Sequence, residues 1–193
     1  MKTVRIAISA GHNPDGKVAC GVITSNLKES TENRYVVKKI KKKVKKSKNP
    51  KIEVLYDCTI NDAISQEDHL KRCAEKHNIW KKSADLHIQI HFNSFNGTAR
   101  GSEVIIKKKT PCLDTVGKEI LKQLQSLGFP NRGVKTTQNL YMLNHVDNFM
   151  ILEVCFADNA LDVPLYKSDK KEVVKAIYKG IWKGLEKCQK NQN

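Results

Sequence analysis

Leu86-His-Ile-Gln-Ile-His-Phe92 decides the fold, because apolar and polar residues alternate through it with a period of two. That is the period of a strand with two different faces: Leu86, Ile88, Ile90 and Phe92 on one, His87, Gln89 and His91 on the other. Before it, residues 61–82 read as a helix with Ile64, Leu70, Cys73 and Trp80 among its apolar positions, and residues 52–56 read as a strand. Further back, a helix starting at Glu29 carries Val37, Ile40 and Val44 at helical spacing until Asn49-Pro50 ends it. The chain opens on a strand over 4–9, closed by the loop Gly11-His-Asn-Pro-Asp-Gly16. After the alternating stretch come a strand over 101–107, a helix over 112–127 halted by Gly128-Phe-Pro130, and strands at 140–143 and 149–154. A last helix opens on Asp169-Lys-Lys-Glu172, a capping-box pattern, and buries Val174, Ile177, Ile181 and Leu185. Strands separated by helices imply one α/β domain over residues 1–193. Its sheet is mostly parallel and twisted, with about six strands and helices on both faces.

Composition fits a packed domain: 39% of the 193 residues are hydrophobic and 28% charged, values that exclude a disordered chain. No apolar run approaches the roughly 18 residues that span a bilayer, since Glu153 stops Phe149-Met-Ile-Leu152, so no stable membrane insertion is expected. The apolar stretch near the N-terminus is broken by Arg5 and ends at Gly11-His12, unlike a signal peptide, so synthesis in the cytoplasm is expected. Six cysteines, at 20, 58, 73, 112, 155 and 188, form no Cys-x-x-Cys pair and read as reduced, mostly buried thiols.

The anomaly is charge: 35 lysines and arginines face 20 acidic residues, for a net +15. The lysine run from Lys38 to Lys48 raises a nucleic-acid-binding module as an alternative function. Against it, Val37, Ile40 and Val44 give that run an amphipathic helical pattern, and the aromatic 6% of the chain does not interleave with it as a stacking platform would. No nucleic-acid partner is expected.

In open α/β sheets, sites lie beyond the carboxyl ends of the strands. His12 after the first strand, His91 at the end of the alternating strand and Glu153 near the end of the strand at 149–154 all fall there, and Glu29 in the first helical turn can reach the same edge. Two histidines, a carboxylate and an open fourth position make a catalytic zinc site, with a second carboxylate as base. His87 and His91 lie roughly 13 Å apart along a strand, too far to share one metal. The plainer alternatives are a solvated polar face for His87, Gln89 and His91, and an ion pair with a lysine for Glu153. Even so, a carboxylate within Phe149-Met-Ile-Leu-Glu-Val-Cys-Phe156 is costly to bury without a use for its charge or proton.

These residues resemble the zinc-dependent N-acetylmuramoyl-L-alanine amidases of the third amidase group, found in autolysins, spore-wall enzymes and phage endolysins. Ile8-Ser-Ala-Gly-His-Asn13 is similar to the family's first strand and zinc ligand, and Glu29-Ser-Thr-Glu-Asn33 to its Glu-x-x-x-Asn, which selects Glu29 over Glu32. The segment from Arg72 through Asp85 to Ser94 resembles the approach to the second histidine, His91, and Gly101-Ser-Glu-Val104 the strand after it. Asn131-Arg-Gly-Val134, Leu140-Tyr-Met-Leu143 and Ile151-Leu-Glu-Val-Cys-Phe156 with Asn159 resemble the closing segment that holds the catalytic Glu153. Gln89 and Cys155 depart from the family's frequent serine and glycine.

The resemblance implies a peptidoglycan hydrolase that cleaves the amide between N-acetylmuramic acid and L-alanine. It implies Zn2+ on His12, Glu29 and His91, and Glu153 as catalytic residue. A zinc peptidase of similar fold is the alternative within the same chemistry. The lysines are expected to favour anionic wall polymers, and the missing signal peptide favours a phage or prophage endolysin, with action at the wall after lysis or in a spore context.

Overall fold

The computed structural model describes residues 3–47 and 51–191; Asn49-Pro50, expected to end the first helix, lies outside them. Along the chain the elements are β1 (Arg5–Ala10), α1 (Glu29–Lys46), β2 (Val54–Asp57), α2 (Gln66–Asn78), β3 (Leu86–Asn93) and β4 (Ser102–Ile106). They continue with α3 (Pro111–Gln125), β5 (Asn131–Thr136), α4 (Tyr141–His145), β6 (Phe149–Phe156), α5 (Asp162–Ser168) and α6 (Lys170–Lys190). The sheet order is β2-β1-β3-β6-β4-β5. All neighbours are parallel except β4 and β6, so the α/β sheet expected from the alternation of elements is what forms.

Ile6, Ile8, Ile88, Ile90 and Leu152 are fully buried against α1, α3 and α6 on one face. Gly180 and Gly184, one turn apart on α6, let it press onto α3: a Cβ at either would sit 2.4 or 2.5 Å from the Cα of Ile120 or Val116. The opposite face carries α2 and α4, with Cys73, Met142, Leu143, Phe149 and Ile151 in a smaller core. Of the capping box expected at Asp169, the N-cap half forms, its side chain accepting from the amides of Lys171 and Glu172, while Glu172 pairs with Lys175.

Four local expectations change. Residues 140–143 are not a strand: Leu140 precedes the short helix α4, because an apolar run of four fits either period and burial of Met142 and Leu143 against α2 decides it. The sixth strand is β5, a polar edge strand whose sequence has no apolar alternation to reveal it. Helix α2 begins at Gln66, with Ser65 as N-cap accepting from the Asp68 amide, so Ile64 is exposed and Trp80 stacks on Tyr56 at 3.9 Å beyond the helix end. Finally, Cys112 and Cys188 form a disulfide between the start of α3 and the end of α6, with Cα atoms 5.3 Å apart. Cysteines 76 positions apart give no sequence sign of this, and only Cys20, Cys58, Cys73 and Cys155 are free thiols.

Candidate active site

The site lies where β1 and β3 end. His12 follows β1 in the left-handed region, φ 64°, and is held there from two sides. Asn33 Nδ2 donates to the Gly11 carbonyl at 3.1 Å and Arg34 Nη2 to the His12 carbonyl at 2.7 Å, both from α1. On the other side Asn13 Nδ2 donates to the Ala63 carbonyl at 2.8 Å, and the Ala63 amide donates back to Asn13 Oδ1 at 3.2 Å.

Glu29 is the first residue of α1, and only 2% of it is exposed. Its Oε1 lies 2.9 Å from His91 Nδ1 and its Oε2 3.3 Å from His12 Nε2. The amides of Phe92 and Val22 donate to the same two oxygens. Burial alone would raise the Glu29 pKa, but hydrogen bonds and charge from His12 and His91 override it and hold the carboxylate ionised well below the usual range. Glu32, the other acid of that turn, turns away to accept from Tyr166 Oη at 2.8 Å and Lys170 Nζ at 2.7 Å.

Two glycines make room. A Cβ on Gly11 would lie 2.2 Å from His91 Cε1, and one on Gly21 would lie 2.6 Å from Glu29 Oε2. Ligand atoms from His12, Glu29 and His91 therefore fall within 4.8 Å of one another, the one such His/Cys/Asp/Glu group among the described residues. Ligands on a single zinc sit about 3.3 Å apart, so small side-chain adjustments suffice. Two imidazoles and one carboxylate are the donor set of an open catalytic zinc site rather than a closed structural one.

β6 places Glu153 directly opposite His91 in register, and opposite Glu103 of β4 on its other side. Glu153 Oε2 is buried with no hydrogen-bond partner, and no described lysine or arginine pairs with this residue. The lysine ion pair considered from sequence forms instead at Glu103, which accepts from Arg132 Nε at 2.7 Å and Lys135 Nζ at 2.6 Å. Burial, then the charges of Glu29 and Glu103, push the Glu153 pKa well above the ordinary carboxyl value. A carboxyl whose pKa is raised in this way is suited to taking up and handing on a proton.

His87 lies outside this group. It and Gln89 are 1% and 2% exposed, so the polar face of β3 is buried in a hydrogen-bonded network rather than solvated. Sequence reasoning also missed Arg34, Asn13 and His69. The last is buried beside His12, burial lowering its pKa to about 4, and its Nε2 has no partner. Asn33 closes the Glu-x-x-x-Asn pattern and Arg34 follows it, the one signal that pointed toward them.

The sequence profile for N-acetylmuramoyl-L-alanine amidase matches residues 6–183. The chain belongs to that amidase family. A curated relative of this amidase domain, an uncharacterized 38.4 kDa protein of Clostridium perfringens, is 32% identical over 192 residues, covering 95% of this chain. The chain spans about half the length of that relative, 52%. Among solved structures, the catalytic domain of the CD27L endolysin targeting Clostridia difficile superposes with a TM-score of 0.75 at 24% identity, covering 92% of this amidase domain and 96% of that chain. The catalytic domain of CwlV, an N-acetylmuramoyl-L-alanine amidase from Bacillus (Paenibacillus) polymyxa, gives 0.74 at 22% identity, covering 95% and 99%. At these identities the two structures establish the shared fold.

Proposed function

We propose that this domain hydrolyses the amide between N-acetylmuramic acid and the L-alanine of the peptidoglycan stem peptide. The observation that carries the reading is Glu153, one carboxyl oxygen of which (Oε2) is buried without a partner, set in register beside His91 of the His12–Glu29–His91 group, in a chain of the amidase family. His12, Glu29 and His91 would hold Zn2+, which when bound supplies a Lewis acid for the scissile carbonyl and lowers the pKa of water toward about 7.

The chain's own residues do the rest. Glu29 keeps its negative charge between the two imidazoles, and Asn33 and Arg34 fix the backbone that carries His12. Glu153 accepts a proton from the attacking water at its carboxylate and delivers it to the departing L-alanine nitrogen as the carbon–nitrogen bond breaks. The products are a lactyl carboxylate and a free amino group.

The wall is also the proposed place of action, after release in phage lysis or in a spore context; one structural neighbour is by name an endolysin domain. Lys39, Lys42, Lys43 and Lys46 of α1 face Lys171 and Lys175 of α6 across one cleft, a surface suited to anionic wall polymers. Wall binding that falls as salt rises supports that role, and binding indifferent to salt removes it. No helix among the described residues is long and apolar enough to cross a membrane. The test of the activity is release of L-alanine amino groups from purified peptidoglycan, lost on chelation and restored by zinc. A freed amino group on any other residue would favour the zinc peptidase instead.

A further inference from the structure

His91 has a second ring nitrogen, and its environment is built. With Nδ1 facing Glu29, Nε2 lies 3.0 Å from Gln89 Oε1, two residues back on the same face of β3. The other end of that amide is also used: Gln89 Nε2 donates to Ser9 Oγ at 3.2 Å and to Cys73 Sγ at 3.3 Å. Beyond it, Ser9 Oγ lies 2.9 Å from His77 Nε2, and His77 Nδ1 lies 3.1 Å from His87 Nδ1.

The proton positions in this network constrain one another. Burial holds His77 and His87 neutral, so each has one donor and one acceptor nitrogen. If Ser9 donates to His77 Nε2, then His77 Nδ1–H donates to His87. Ser9 is then the acceptor for Gln89 Nε2, and Oε1 is left for His91. If His77 donates to Ser9 instead, the second lone pair of the hydroxyl still accepts from Gln89 Nε2, so Oε1 faces His91 in either case. With Oε1 as its partner, His91 Nε2 carries a donated proton, and Nδ1, which faces Glu29, is the nitrogen left to give its lone pair to a metal.

We propose that Gln89 is a positioning residue for His91: its side-chain carbonyl holds Nε2–H and so presents the Nδ1 lone pair for metal binding, the buried acceptors Ser9 and Cys73 keeping the amide this way round. The inference rests on the metal site of the proposed function. Histidine metal ligands that donate the second ring nitrogen to a fixed acceptor typically lose 10- to 100-fold in metal affinity when that acceptor is removed.

Zinc affinity, measured by chelator competition without substrate, tests this in the full chain. Gln89→Leu is expected to weaken binding by about 10- to 100-fold, while Gln89→Glu, which keeps an acceptor for Nε2–H, stays within a few-fold of wild type. Equal affinity of Gln89→Leu and wild type overturns the inference. Failure of the wild type to bind zinc overturns the underlying site instead. Nitrogen-15 NMR of the zinc-loaded wild type is independent of how any variant folds: a protonated His91 Nε2 with metal on Nδ1 is expected, and metal on Nε2 refutes the proposal.

Discussion

Lowering the pH from 7 to 5 should destabilise this fold through His77 and His87. Both are buried, at 0% and 1% exposure, and burial is the first cause that lowers their pKa from 6.5, to about 3 and about 4. The sign follows from linkage: above pH 6.5 neither state is protonated there, but below it the unfolded chain takes up protons that the folded protein refuses. Stability is therefore intact above the unfolded value and is lost as pH falls toward the folded values. At pH 5 the unfolded imidazoles are nearly all charged and the folded ones nearly all neutral. Each then contributes about 2 kcal/mol of destabilisation relative to pH 7, or about 4 kcal/mol for the pair. His69 acts in the same direction. Urea unfolding of the chelator-treated protein, read by circular dichroism at several pH values, measures this as a falling midpoint at constant slope. A loss below about 1 kcal/mol between pH 7 and 5 would refute the burial argument, as would an unchanged pH dependence in His87→Gln.

Three other outcomes are expected. Glu153→Gln removes the proton carrier but keeps the side chain's shape, so hydrolysis should fall by about 10²- to 10⁴-fold while bound zinc, measured by metal analysis, is retained. Gly11→Ala forces a Cβ against His91 Cε1, so zinc affinity should drop by about 10-fold or more with an unchanged far-ultraviolet spectrum. Reducing the Cys112–Cys188 bond, which spans 76 positions, should remove about 4.5 kcal/mol and lower Tm by about 10 °C in a melting curve.

What could be read from sequence follows from how each feature is encoded. The alternation through β3 and the apolar spacing of α6 are local and strong, so the parallel core and its helices were legible. Glu153 was conspicuous because a charge inside an apolar strand has few uses. Strand β5 and helix α4 were misread because one is a polar edge and the other grows from the short run 140–143, whose period only tertiary packing decides. The Cys112–Cys188 bond joins chain positions that only the packing of α3 on α6 brings together. The polar face of β3 was ambiguous for the same reason: alternation places His87, Gln89 and His91 together, but their burial depends on α2, whose Cys73 and His77 complete the network.

The most direct test of the central claim is mass spectrometry of purified peptidoglycan digested with the zinc-loaded protein. Stem peptides released with a free L-alanine amino terminus and glycan strands left uncut are expected. Cleavage within the peptide, or new reducing ends in the glycan, would contradict that claim.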